Sequence, residues 1–265
     1  MELVQVLYLE DLKMNDEDIF LQKRFAELAD KSYKCNQYFF TDFLSLEDAA
    51  LLRRTMEEEK FYDFSMFGGA NGCMREMARF GNVDSIGYEL SYPILTIQVK
   101  PLIQKFADAL THRDFLGALM NLGIKREMIG DIIIRNNEGY IFVAHKIADY
   151  VVENLTKIKH TNVSAAIIDG TQIDISYETK SSEVLVPSLR IDAIIAKKCN
   201  LSRSKVIEIM REKKVFLGGR IMENTSYTVK EGDVITVRGY GKMIFKHISG
   251  ETKKGKIYIT IEEFV

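Results

Sequence analysis

The sequence predicts an α+β chain in three successive parts. Three observations carry that prediction: helix-period apolar residues over 1–81, a β-α-β-β-α-β order over 82–180, and a basic excess over 182–265. The chain has 265 residues, 46% of them hydrophobic, so each part can bury a core of its own.

The first part, 1–81, is predicted to be mainly helical. In "DEDIFLQKRFAELADKSY", Ile19, Phe20, Phe25 and Leu28 fall near one helical stripe with charges between them. "SLEDAALLRRTMEEE" opens with a Ser45-x-x-Asp48 capping signature and continues with Leu51, Leu52 and Met56. The part closes on "FGGANGCMREMARFG". Its Gly69-x-x-Gly72, followed by Arg75 and Arg79, suits either a tight turn or an RNA contact. It lacks the trailing Gly-Lys-Ser/Thr of a P-loop, which argues against nucleotide hydrolysis.

The middle part, 82–180, changes period. "YPILTIQVKP" sets Ile94, Thr96 and Gln98 against Leu95, Ile97 and Val99, as a strand does. A helix is expected around Asp114–Leu122. "DIIIRNNEGYIFVA" reads as two strands about an Asn136-Asn-Glu-Gly139 turn. "HKIADYVVENLTKI" follows as an amphipathic helix using Ile147, Tyr150, Val151 and Leu155, and "TNVSAAIID" as a last strand. That order is the one of a ferredoxin-like (RRM-like) sandwich, which implies no chemistry by itself.

The third part, 182–265, follows the polar stretch "YETKSSEVLVPS" and is predicted to hold two short helices and then strands. Ile191, Ile194 and Ile195 form the inner face of the first helix. Ser202 or Ser204 can cap the second, where Val206, Ile209 and Met210 point inward. Lys213 and Lys214 are expected in its last turn, where cations suit the helix dipole. Val215–Leu217, Gly218-Gly219 and Arg220-Ile221 read as strand, tight turn, strand, and Gly232-Asp233 as a turn before a strong strand at Val234–Arg238.

Charge separates this part from the rest. Residues 182–265 hold 16 Lys and Arg against 10 Asp and Glu, while the other 181 residues hold 20 against 28. A basic tail on an acidic body points to a polyanion as the partner of the tail. Cys35, Cys73 and Cys199 and the four histidines are dispersed without metal-ligand spacing, so reduced thiols in a cytosol and no metal or cofactor are expected. No apolar run reaches the length of a membrane span, and the acidic start "MELVQVLYLEDLKMNDEDIF" argues against a signal peptide.

The pattern R-x-D…S-R-S-x-V…V-x-x-G-G-R…V-K-x-G-D-x-I-x-V-R over Leu189–Lys242 resembles the S4 domain, a small RNA-binding module of αL type. Gly218 replaces an Asn common there, and both tolerate positive φ. The resemblance implies Arg190, Ser202, Arg203, Lys205, Lys213, Lys214 and Arg220 as RNA contacts. Clustered cations suit RNA helices, which are recognised largely through backbone shape and charge.

His112-Arg113-Asp114 repeats three letters of the kinase catalytic loop, but position 119 is Leu where that loop needs Asn, and no glycine-rich loop or D-F-G accompanies it. Thr111-x-x-Asp114 reads instead as a capping box, with Leu110 and Phe115 as its hydrophobic staple. Phe115, Leu116, Leu119 and Met120 are then expected in the core, and Gly123 ends the helix. His112, Arg113, Lys125, Arg126 and Arg75 are candidates for a secondary RNA contact.

"FGGANGCMRE", then "LTHRDFLGALMNLGIKREMIGDI", then an S4-like module together resemble the YlmH family of bacterial RNA-binding proteins. Where that family follows its glycines with Ala-Glu-Arg-Lys-Arg, this chain keeps only Arg75. The resemblance implies a cytoplasmic, non-catalytic binder of ribosomal RNA, or of a tRNA-occupied large ribosomal subunit. It also implies a role in rescue of stalled ribosomes and a link to cell division. The alternative is an RNA-modifying enzyme of pseudouridine-synthase type anchored by the S4 module. Leu189-Arg-Ile-Asp192 resembles the R-L-D motif of such enzymes, and Asp131 is the other acid it could use. Methyltransferase and tRNA-synthetase nucleotide motifs are absent from the sequence. Nothing in it assigns an oligomeric state.

Overall fold

The computed structural model describes residues 16–169 and 179–264. The acidic stretch 1–15 and the first residues of "YETKSSEVLVPS" lie outside them.

Helix α1 (Asp16–Cys35) and helix α2 (Leu46–Glu58) pack on a three-stranded antiparallel sheet, β1 (Phe39–Phe40), β2 (Phe64–Phe67) and β3 (Met77–Phe80), in the order β1-β3-β2. The sequence reading has no strand before residue 82. The segments are two to four residues long and too short to show a period of two. Phe25, Ala29, Leu52, Met56, Ala78 and Phe80 form the core between helices and sheet. Ile19 and Phe20, expected on the inner stripe of α1, are exposed instead. Ser45 and Asp48 complete the predicted capping box of α2.

After a single helical turn, α3 (Val83–Ile86), comes a five-stranded antiparallel sheet. It contains β4 (Ile94–Pro101), β5 (Ile129–Arg135), β6 (Glu138–Ala144), β7 (Lys157–Ile158) and β8 (Thr161–Ile168), in the order β5-β6-β4-β8-β7. Helices α4 (His112–Asn121) and α5 (Ala148–Asn154) contribute Phe115, Leu119, Ala148 and Val151 to a core shared with Ile97, Val99, Ile141 and Val143. Asn136 and Asn137 both take positive φ, as a two-residue hairpin turn requires. Met120 and Tyr150, expected inside, are exposed; the Tyr150 hydroxyl donates to the Leu122 carbonyl at 3.1 Å and so holds the ring at the surface.

The start of α4 is built by Asp114. Its carboxylate accepts from the Thr111 backbone N–H at 2.8 Å and hydroxyl at 2.6 Å, and pairs with Lys159 at 2.7 Å. Lys159 and then Thr111 hold the Asp114 pKa down at about 2. Because the folded value lies below the unfolded one, this stabilisation is complete above about pH 4 and fades as pH falls towards 2. Asp114→Asn is therefore expected to lower the melting temperature at neutral pH, and its deficit to shrink in acid. Melts of both proteins across that range check this; a deficit that does not change with pH would remove the charge from the account.

The C-terminal sheet has six antiparallel strands: β9 (Thr179–Val186), β10 (Val215–Leu217), β11 (Arg220–Ile221), β12 (Val234–Val237), β13 (Gly241–Glu251) and β14 (Ile257–Phe264). Their order is β11-β10-β12-β13-β14-β9. Strand β9 starts three residues before the boundary read at 182, because a stretch that looks like a polar linker pairs along its whole length with β14. Helices α6 (Ile191–Lys198) and α7 (Arg203–Arg211) bury Ile191, Ile194, Ile195, Val206, Ile209 and Met210 against this sheet, as their spacing predicts.

The first two parts interlock at the glycine segment. Phe43 donates its N–H to the Glu127 carbonyl at 2.9 Å. Gly69 has φ +106° and lies so close to Phe142 that a Cβ there would meet the ring at 2.3–2.8 Å. Asp131, buried in β5, accepts from the backbone N–H groups of Met74 at 2.6 Å and Arg75 at 3.1 Å. The face of the middle sheet opposite its helices is thus partly covered by the segment carrying Gly69.

Candidate nucleic-acid interface

The basic module is positioned by its own charged residues first. Arg190 makes two hydrogen bonds to Asp192, Nε to Oδ1 at 3.0 Å and an Nη to Oδ2 at 3.1 Å, with Asp192 almost fully buried. This pairing anchors the first turn of α6 and occupies both oxygens of Asp192. The Ser202 hydroxyl accepts from the Lys205 N–H and starts α7. The other end of α7 differs from expectation. The helix stops at Arg211, and Lys213 lies beyond it in the left-handed region, with φ +56°. Its N–H bonds to the Met210 carbonyl and the Lys214 N–H to that of Ile209, a Schellman closure built on lysine instead of glycine. Lys213 and Lys214 therefore belong to the turn into β10, not to the last turn of the helix.

The structure divides the sequence-predicted cations into paired and unpaired groups. Lys205 pairs with Glu208 at 2.7 Å, Lys214 with Glu212 at 2.5 Å and Arg220 with Glu57 at 3.2 Å. Among the described residues, Arg203 and Lys213 have no ion-pair partner. Arg203, exposed at the first position of α7, shares a cleft of about 270 Å³ with Lys197 and Asn200. Arg211, which the helical spacing leaves for solvent or a ligand, is exposed beside this edge, and so is Lys197, a cation that sequence reasoning did not single out. The Lys197-Lys198 pair was visible in sequence, but only the fold separates its members. Lys198 turns inward to Glu263 at 2.8 Å and Ser182 at 2.6 Å, while Lys197 faces solvent.

Two of the five secondary candidates, Arg75 and Arg126, are engaged inside the protein. Arg75 donates to the carbonyls of Ile129 at 3.1 Å and Phe43 at 2.9 Å, bracing the first two parts against each other. Arg126 donates to the same Ile129 carbonyl at 2.5 Å and to that of Gly130 at 3.2 Å. Burial, then the nearby Arg75 charge, lowers its pKa to about 10. His112, at the start of α4, is pushed below the usual histidine value by desolvation and by Arg126. A neutral imidazole at neutral pH offers phosphate no charge. Lys125 lies 4.0 Å from Glu127, and Arg113 is exposed. The glycine segment and its arginine act here as a bracket, a role that side-chain identity alone does not disclose.

Burial raises the Cys73 thiol to about 12 and that of Cys199 to about 11, whereas Cys35 is exposed. Among the described residues no cluster of three or more His, Cys, Asp or Glu could hold a metal, and no helix is long and apolar enough to cross a membrane.

Comparison with known proteins places two domains on this architecture. Residues 89–172 match the family described as "Putative RNA-binding domain in YlmH", and residues 189–235 match the S4 domain family. The "Ribosome-associated protein quality control protein P2" of Bacillus subtilis is 34% identical over 162 residues, 60% of this chain and 63% of that protein. An "Uncharacterized RNA pseudouridine synthase" of Aquifex aeolicus is 29% identical over 75 residues, 28% of this chain and 32% of that one. The chain thus spans less than two thirds of the length of these curated relatives. A solved structure titled "Cell division protein ylmH from Streptococcus pneumoniae" is 21% identical, with a TM-score of 0.48 over 61% of this chain and 96% of that one. The chain is YlmH-like: a domain of the YlmH putative RNA-binding family is followed by an S4 domain at the C-terminus.

Proposed function

We propose that this chain is a non-catalytic RNA-binding protein whose S4 domain docks on ribosomal RNA, or on the large ribosomal subunit when tRNA occupies it. The observation that carries this is a cationic edge without ion pairs among the described residues: Lys197, Arg203 and Arg211 on α6 and α7, whose other faces are buried, and Lys213 in the turn that follows α7. Backbone phosphates ask for such an edge and for little else. The middle domain is read as ferredoxin-like, supported by the order β5-β6-β4-β8 and by α4 and α5 sharing one core with it.

A part in rescuing stalled ribosomes draws its support from the name of the Bacillus relative. A link to cell division belongs to the proposal through the family resemblance alone. The non-catalytic assignment is supported by Asp131 and Asp192, the two acids an RNA-modifying alternative would need, since each is already committed to holding the fold. Co-sedimentation tests the proposal: the protein is expected to pellet with large ribosomal subunits at low salt and to be released as salt rises. Failure to pellet under those conditions would sink it.

A further inference from the structure

Two arginines of the S4 domain are covered by a different part of the chain. Arg220, next to the Gly218-Gly219 turn, pairs with Glu57, and Arg238, just past β12, pairs with Glu47. Both acids belong to α2. Between them Arg53 of the same helix lies over the hairpin tip. One of its Nη atoms donates to the Gly219 carbonyl at 3.5 Å, and a Cβ on Gly219 would stand 2.7 Å from that guanidinium nitrogen. Arg53 is itself held by Glu76 at 3.1 Å, so α2 is fixed to its own sheet while it touches the S4 tip.

The contact is charged rather than apolar. The paired side chains of Arg220 and Arg238 keep 65% and 59% of their exposure. Exposed ion pairs of this kind contribute little and are screened by salt. A carboxylate beside an exposed arginine is also the side-chain group nearest in charge and geometry to a phosphate oxygen pair. Phosphates of a folded RNA bring the same charge together with counterion release, which the carboxylates do not.

We propose that Arg220 and Arg238 form a second phosphate-binding edge of the S4 domain, filled in the free chain by the carboxylates of Glu57 and Glu47. Structured RNA engages this edge by displacing α2, exchanging two internal ion pairs for two arginine–phosphate contacts. The assignment rests on the RNA-binding reading above and adds Arg238, which the sequence pattern contains but did not mark as a contact.

The test uses the full chain and a fluorescently labelled RNA stem-loop. Glu47→Gln with Glu57→Gln is expected to tighten binding roughly three- to tenfold, the release of two surface ion pairs. Glu58→Gln with Glu59→Gln removes the same charge from the same end of the chain without touching the S4 domain and is expected to change little. Arg220→Gln with Arg238→Gln should weaken binding in the parent, and weaken it further in the Glu47/Glu57 variant, cancelling its gain. Equal tightening by both glutamate pairs, or unchanged affinity on removing the arginines, overturns the proposal while leaving RNA binding through α7 intact. A parent protein that does not bind the stem-loop at all overturns both.

Discussion

Arg203→Glu combined with Lys214→Glu is expected to weaken binding to large ribosomal subunits by orders of magnitude at moderate salt. The slope of log affinity against log salt should fall by roughly 0.7–0.9 for each phosphate that is no longer neutralised. The two positions suit the experiment because neither supports the fold. Arg203 is exposed at the first turn of α7, where a glutamate is favoured by the helix dipole. Lys214 gives up only a surface pair with Glu212. Reversing both therefore separates recognition from folding, which circular dichroism of the variant would verify. Undiminished co-sedimentation by a folded variant would remove Arg203 and Lys214 from the interface.

Asp131→Ala is expected to cost about 3–5 kcal/mol of stability, read by urea denaturation. The change leaves the N–H groups of Met74 and Arg75 without their acceptor inside the protein. It also takes the balancing charge away from Arg75 and Arg126, each of which feels the Asp131 carboxylate. Domains of ordinary stability have only about 5–15 kcal/mol to lose, so the variant should be close to unfolding. A loss under about 1 kcal/mol would mean that the buried carboxylate is not a structural tie. A catalytic role for Asp131 would then be open again.

What the sequence made legible follows from the length over which each signal is repeated. The S4 helices were readable because Ile191, Ile194 and Ile195, then Val206, Ile209 and Met210, repeat at helical spacing beside a capping Ser202. Thr111 and Asp114 announced the start of α4 through a three-residue spacing that only a helix end explains. The N-terminal sheet was hidden because two to four residues cannot display alternation. Strand β9 was hidden because its partner lies at the far end of the chain.

Site residues obeyed a different rule. A sequence shows which positions carry charge, but whether a charge is free depends on what folds against it. Arg75 and Arg126 share one carbonyl, and Glu57 and Glu47 come from another region to meet Arg220 and Arg238. Of the seven positions carried over from the S4 pattern, Arg203 and Lys213 are the cations left without an ion pair among the described residues. Arg211 was left for solvent or a ligand by the helical spacing, while Lys197 joins them only once the helices are built.

The pairing of β9 with β14 also bears on how the protein is made. Thr179 is matched to Phe264 and Val186 to Ile257, so the strand that leads into the S4 domain finds its neighbour only after all the elements between them have been synthesised. During vectorial synthesis, α6 and α7 leave the ribosome with much of the sheet beneath them still missing. Long-range closure of this kind is slow, and until it happens the facing edges of β9 and β13 have unsatisfied backbone groups. The basic helices therefore have the whole sheet beneath them only once Ile257–Phe264 has joined β9.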